Sequence, residues 1–206
     1  MVGDRQQTRP PSNNGTLQWL GLATTAAVVI TMTSAWAGPS KSSSSTTKQE
    51  GIKAFSIVHK VLTSPRCANC HPVDDVPTVG DDMRPHAMGI TRLSPDSGLP
   101  CSSCHRDKGF VLPMANLPPA APHWGLPPLN QVFAGRTQAE LCAQLNEPET
   151  TGGRDLDALL HHVREDALVL WGWAPGEGRL PVATSHADFV DAFATWVASG
   201  GACPEG

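Results

Sequence analysis

Tyrosine is absent from this sequence, and the other aromatic residues are few, at 5% of its 206 residues. Proline and glycine are abundant instead, with 19 of each. Aliphatic residues are few in the middle third of the chain, and the apolar residues there do not follow the regular spacing of a strand or a helix. Because such a composition offers little material for a core, it predicts that a large apolar group is supplied from elsewhere.

Positive charge is also scarce. The chain carries 15 Lys and Arg against 19 Asp and Glu, which gives a formal net charge of −4. No basic stripe interrupts this acidic balance, and that argues against a nucleic-acid-binding protein. An acidic surface suits docking to a basic patch on a partner protein.

A long membrane-spanning run is missing too. No charged residue occurs between residues 10 and 40, but the apolar stretch at 17–32 is about sixteen residues long, short of the roughly 20 that a spanning helix needs. Two arginines precede it, and Ala35 and Ala37 follow it at the positions that signal peptidase reads. The pattern predicts a secretory signal peptide at 1–37 and a periplasmic protein, with an uncleaved membrane anchor as the alternative.

Wherever apolar residues recur at a regular spacing in this chain, the spacing is that of a helix, so the predicted class is mainly α. Apolar residues at helical spacing predict helices at 51–63 and 185–199. Thr137 and Glu140 form a capping-box pattern that starts a third helix, and Asp155 can cap a fourth. The intervening chain is rich in proline and glycine and is predicted to be mostly loop.

Two copies of the pattern C-x-x-C-H dominate the chemistry: Cys67, Cys70 and His71, then Cys101, Cys104 and His105. This is the attachment signature of a c-type haem. The two thiols form thioethers with the two vinyl groups on one edge of the porphyrin, and the adjacent histidine binds the iron as its proximal ligand. The two copies therefore predict two covalent haems, with His71 and His105 as iron ligands.

Zinc binding, a redox-active dithiol and a structural disulfide are the alternative uses of these cysteines. The pairs lie 34 residues apart, which is longer than the usual zinc-ribbon spacing, and zinc would leave both histidines unexplained. A thioredoxin-like dithiol belongs in a βαβ context, which the pattern here does not suggest.

The sixth ligands of the irons are less constrained by spacing. His86 and His123 are the predicted distal ligands, and Met88 and Met114 are the alternatives. His86 and Met88 are two residues apart, so the two are not expected to face the same iron.

Cys142 and Cys203 remain after the motifs take four of the six cysteines. In an oxidising compartment two such thiols usually pair, so a disulfide is predicted. Closing a loop of this length contributes roughly 4 kcal/mol on the chain-entropy model. Two free thiols or an intermolecular bond are the alternatives.

Other chemistry-bearing residues have simpler interpretations. His161 and His162 are predicted to lie on a helix surface, solvated or in contact with Glu165 or Asp166, and a distal-ligand role is the alternative. The tryptophans of the C-terminal half are interpreted as core residues: Trp124, Trp171, Trp173 and Trp196.

With these motifs in place, the chain resembles a group of small exported dihaem cytochromes known as isoquinoline 1-oxidoreductase subunits, over residues 53–204. Besides the two haem motifs, the shared features are the sequences that end at Trp124, Cys142, Arg154, Trp173 and Pro204. The resemblance implies an electron-transfer subunit that accepts electrons from a periplasmic molybdenum hydroxylase. The name belongs to that partner enzyme, since no molybdopterin-binding segment is visible here. One departure is Asn130-Gln131-Val132, where a methionine-bearing stretch is expected.

The sequence thus predicts a mainly α, loop-rich, c-type dihaem cytochrome in which haems replace much of the core. A flexible linker at 38–50 precedes the dihaem domain at 51–206, with its haem-binding part at about 51–134 and a helical C-terminal part at about 135–206. We expect an electron-transfer protein and not an enzyme. Its partners are expected to be redox proteins that dock transiently, with membrane association only if the N-terminal segment is kept. A dihaem enzyme such as a peroxidase, with one open iron position, is the alternative.

Overall fold

The structure is a computed structural model that describes residues 42–106 and 118–206. Six α-helices are present in these ranges: α1 Ser42–Leu62, α2 Pro65–Ala68, α3 Gln138–Asn146, α4 Leu156–Glu165, α5 Ala167–Leu170 and α6 His186–Ala198. Short 3₁₀ turns occupy Ala87–Gly89, Cys101–Ser103, Pro148–Thr150 and Trp171–Trp173. The described residues are mainly helical, as the sequence predicts.

The capping signals in the sequence define the starts of three helices. The Thr137 hydroxyl accepts from the Glu140 N–H while the Glu140 carboxylate accepts from the Thr137 N–H, which completes the predicted capping box of α3. The Asp155 carboxylate accepts from the Ala158 N–H and caps α4 as predicted. Ser185 caps α6 through the Asp188 N–H.

Helix α1 begins earlier than the sequence predicts. It starts at Ser42, inside the segment assigned to a flexible linker at 38–50. Lys48, Gln49 and Glu50 are good helix formers, so they extend the amphipathic turns that begin at Gly51 toward the N-terminus.

One hydrophobic core joins α1 to the C-terminal helices. Its largest fully buried side chains include Phe55 of α1, Leu141 of α3, and Phe189, Phe193 and Trp196 of α6. No described residue between Ala68 and Val132 belongs to this cluster. The helices thus build a side-chain core of their own, whereas the composition predicts that a core needs an added apolar group.

A disulfide fastens the C-terminus to this core. Cys142 in α3 is bonded to Cys203, 61 residues later, which confirms the predicted pair. Cys142 is fully buried, and the bond closes the loop that contains α4, α5 and α6.

The segment between the two cysteine motifs has little regular structure. Strands β1 Thr78–Val79 and β2 Arg84–Pro85 pair in antiparallel fashion, with Thr78 opposite Pro85. The Asn69 amide donates to the Gly80 carbonyl at 2.9 Å, which holds this hairpin against the first motif. Within the described ranges, no helix combines the length and the apolar character needed to cross a membrane.

Candidate haem-attachment site

The first motif lies on a single helical turn. Pro65 starts α2, a position where its missing N–H costs nothing, and the turn continues until the His71 N–H donates to the Cys67 carbonyl at 3.2 Å. Burial raises the pKa of the Cys67 thiol to about 12 and that of Cys70 to about 11. Both side chains are therefore protonated thiols at neutral pH.

His71 is held by a loop that lies 60 residues further along the chain. Its Nδ1 is 2.8 Å from the Gln131 carbonyl oxygen, and its ring stacks on Phe133 with centroids 3.7 Å apart and planes 7° apart. A carbonyl can only accept, so Nδ1 carries the proton and Nε2 keeps its lone pair. Desolvation lowers the pKa of His71 to about 4, which keeps the ring neutral.

The second motif repeats this arrangement on a 3₁₀ turn. The His105 N–H donates to the Cys101 carbonyl at 2.9 Å, and the Nδ1–H of His105 donates to the Pro119 carbonyl at 2.7 Å. The His105 ring stacks on Trp124, with centroids 4.7 Å apart and planes 8° apart. Desolvation lowers the pKa of His105, so this ring is neutral as well.

The donor set fits two covalent haems. The four motif cysteines are all unpaired thiols, available to form thioethers, and Cys101 lies close enough to Cys70 to raise its pKa further. Each motif histidine presents an Nε2 lone pair, and its other nitrogen donates to a backbone carbonyl, the arrangement that orients histidine ligands at metal centres.

His86 lies next to the second motif. Its ring centroid is 6.0 Å from that of His105, with the planes at 60°. Two imidazoles that bind one ion from opposite sides, through nitrogens about 2 Å from it, have ring centroids about 6 Å apart. The Nδ1–H of His86 donates to the Ala87 carbonyl at 2.8 Å, so Nε2 is again the atom left with a lone pair.

His123 also lies beside the second motif. Together with His105 and Arg106 it lines an open surface cleft of about 600 Å³. Its backbone φ of +60° is uncommon for a residue other than glycine. The two predicted distal histidines are thus both near His105.

Met88, one of the two alternative methionine ligands, is less well placed than the histidines. Met88 is 82% exposed and has a φ of +67°. Met114 and the predicted signal peptide at 1–37 lie outside the described residues.

His162, in the C-terminal part of the chain, lies close enough to the first motif to lower the pKa of His71. A positive charge on His162 would repel a proton on His71. The Nδ1 atom of His162 is 3.5 Å from the Asp166 carboxylate, and this contact is one of the two interpretations that the sequence offers. Its side chain is 34% exposed, so it lies partly inside the protein, while its neighbour His161 is exposed.

Sequence patterns did not identify the residues that hold the motif histidines. Gln131 and Pro119 act through their backbone carbonyls, which any residue could supply, and Phe133 carries no local signal. Trp124 is interpreted as core from sequence, whereas the structure stacks it on His105.

In residues 42–106 and 118–206, no three His, Cys, Asp or Glu side chains are grouped as the ligands of a metal ion would be. The motif residues and the contacts around their histidines are the observations from which function is inferred. Comparison with known proteins finds no matching family model, no similar curated protein and no similar solved structure.

Proposed function

We propose that this protein is an exported dihaem cytochrome c that transfers electrons, as the resemblance implies. The observation that carries the proposal is the matched geometry of the two motifs. In each motif two unpaired thiols adjoin a neutral histidine whose Nδ1–H donates to a backbone carbonyl, which leaves Nε2 for iron.

Each residue of the motifs has a defined role. The thiols of Cys67 and Cys70, and those of Cys101 and Cys104, form the thioether links. His71 and His105 would bind iron through Nε2, and His86 would supply a further ligand to the iron held by His105. When bound, haem c supplies an iron that alternates between the ferric and ferrous states.

Exposed apolar side chains between the motifs support this proposal. Val73 is 68% exposed, Leu93 63% and Leu99 43%, and Met83 and Met88 add to the same segment. Among residues 42–106 and 118–206, most of the large exposed apolar side chains therefore belong to the segment that connects the two motifs. Covering them with a porphyrin gains roughly 25 cal/mol per Å² of apolar area.

The expected donor is a periplasmic dehydrogenase of the molybdenum hydroxylase type, and the expected acceptor is a respiratory protein. The acidic balance of the chain favours a basic docking patch on either partner. Electron-transfer complexes of this kind bury small interfaces and dissociate readily.

A haem enzyme such as a peroxidase is the second candidate, favoured by the open cleft beside His105. This cleft is lined by His123, a side chain that can act as an acid–base group, and by the cationic Arg106. Enzyme activity at this cleft requires an open iron position beside His105, so carbon monoxide binding by the reduced Cys67→Ala/Cys70→Ala variant, which keeps only the haem of the second motif, would favour the enzyme. We propose the electron carrier because the ring centroids of His86 and His105 are 6.0 Å apart, the spacing of two imidazoles that bind one ion.

The test is periplasmic expression together with haem-maturation proteins. Intact mass and the pyridine haemochrome spectrum should report two covalent haems in the wild type and one in Cys67→Ala/Cys70→Ala or in Cys101→Ala/Cys104→Ala. The matched control, Cys142→Ala/Cys203→Ala, should keep both. A colourless wild-type protein with four unmodified motif cysteines would refute the proposal.

A further inference from the structure

Among the tryptophans that the structure describes, Trp124 and Trp171 differ from the other two. Trp196 is part of the hydrophobic core and Trp173 packs against it, whereas Trp124 and Trp171 belong to neither group. They contact each other edge to face, with ring centroids 4.9 Å apart and planes at 88°. Two indoles placed together outside the core require an explanation other than core packing.

One end of this pair reaches the second motif. The Trp124 ring lies parallel to the His105 ring at 4.7 Å, so the indole covers one face of the proposed iron ligand. The hydrogen bond from His105 to Pro119 fixes the same ring at Nδ1. Trp124 is thus a positioning residue for His105.

The other end of the pair reaches the first motif. The guanidinium carbon of Arg66 lies 5.9 Å from the Trp171 ring centroid, a cation–π contact, and Arg66 directly precedes Cys67. Arg66 is 8% exposed and is ion-paired with Asp81. Its Cβ also lies close to Gly172, which keeps it against the turn that carries Trp171.

We propose that Trp124 and Trp171 form an aromatic bridge that carries electrons between the two haem sites. The bridge joins His105 to Arg66 through three successive contacts. One electron leaves the ferrous iron at one site and reduces the ferric iron at the other, with no proton transferred and no bond made or broken. The indoles keep their own oxidation state throughout, and their role is to provide an uninterrupted path of contacting groups between the two motifs.

This inference rests on the proposed function, and its test uses the haem-loaded protein. Pulse radiolysis of half-reduced protein measures the rate of electron exchange between the two haems. Trp171→Leu removes the centre of the bridge without touching His105, and Trp171→Phe keeps an aromatic ring there. Trp173→Leu is the matched control, since it removes an indole from the same turn that packs against the core.

We expect Trp171→Leu to slow the exchange severalfold, while Trp171→Phe and Trp173→Leu stay near the wild-type rate, with unchanged absorption spectra. If Trp171→Leu fails to mature, Trp171→Met makes the same test. An unchanged rate in the loaded aliphatic variant overturns the bridge alone and points to direct exchange near Cys70 and Cys101. Equal slowing in Trp173→Leu overturns it as well. A wild type without covalent haem overturns both the proposed function and the bridge.

Discussion

At the scale of single residues, the motif histidines show how a fold selects one tautomer. A backbone carbonyl accepts from Nδ1 in both His71 and His105, although the carbonyls belong to unrelated loops. Each ring also stacks on an aromatic side chain within 8° of parallel. Both rings are thus held in a fixed orientation with the Nε2 lone pair retained, and the proposed function would use these atoms to bind iron.

The buried neutral state of His71 predicts a pH effect on the haem-free chain. Its pKa of about 4 is below the unfolded value near 6.5, so the unfolded chain binds more protons in that interval and stability falls as the pH drops through it. Between pH 7 and pH 4.5 we expect the wild type to lose about 2–3 kcal/mol more than His71→Gln. Urea unfolding at the two pH values measures this difference, and equal losses would contradict the neutral assignment.

His86 should be separable from His123 by substitution in the haem-loaded protein. Because the His86 ring lies 6.0 Å from that of His105 and its Nδ1–H donates to the Ala87 carbonyl, which leaves a lone pair on Nε2, His86→Ala should leave one iron without a sixth ligand. We expect a high-spin component in the absorption spectrum and carbon monoxide binding at one haem. His123→Ala is the control and should leave the spectrum unchanged. The reverse result would assign the ligand to His123.

At the scale of elements, the crossing of α1 and α6 depends on Gly51. A Cβ built at this position would overlap the Oγ and Cβ atoms of Ser199, which follows α6 directly. Glycine inside a helix normally costs about 1 kcal/mol relative to alanine. The helix accepts this cost because the close approach lets the apolar faces of α1 and α6 pack together.

Gly51→Ala should therefore destabilise the protein despite the better helix propensity of alanine. Overpacking of this kind costs about 1–3 kcal/mol, which we expect as a lower midpoint of urea unfolding. Gly51→Ala/Ser199→Gly removes the overlapping atoms and should recover most of the loss. A stabilised Gly51→Ala variant would show that the two helices can separate at no cost.

At the scale of the whole molecule, the chain contains two unlike regions. The helices α1, α3, α4 and α6 share a core of their own and are fastened by a disulfide. The segment between the motifs has one two-residue hairpin, short turns and exposed apolar side chains. Under the proposed function, haem would order the second region, while the first folds from its side chains alone.

The disulfide should contribute to global stability and not to haem attachment. Cys142→Ala/Cys203→Ala should lower the free energy of unfolding by about 4 kcal/mol, because the bond closes a loop of 61 residues in the unfolded chain. Urea unfolding measures the loss, and reduction of the wild type by dithiothreitol should reproduce it. A loss below about 1 kcal/mol would contradict the chain-entropy model.

Local signals in the sequence were enough for the motifs, the starts of α3, α4 and α6, and the disulfide. Spacing defines C-x-x-C-H, the caps at Thr137 and Asp155 act within one turn, and elimination leaves Cys142 and Cys203 as a pair. The sequence did not predict the early start of α1 or the turns at both motifs. Helix ends and single turns depend on the surrounding residues more than on the spacing of apolar residues along the chain.

Only the tertiary structure decided how the site is assembled. Gln131 and His71 are 60 residues apart, and the Gln131 carbonyl is a backbone group that no sequence pattern marks. The placement of both His86 and His123 near His105, and the contact between Trp124 and Trp171, likewise depend on how loops cross in space. Spacing along the chain specifies local chemistry, whereas long-range contacts are determined by the packing of the whole fold.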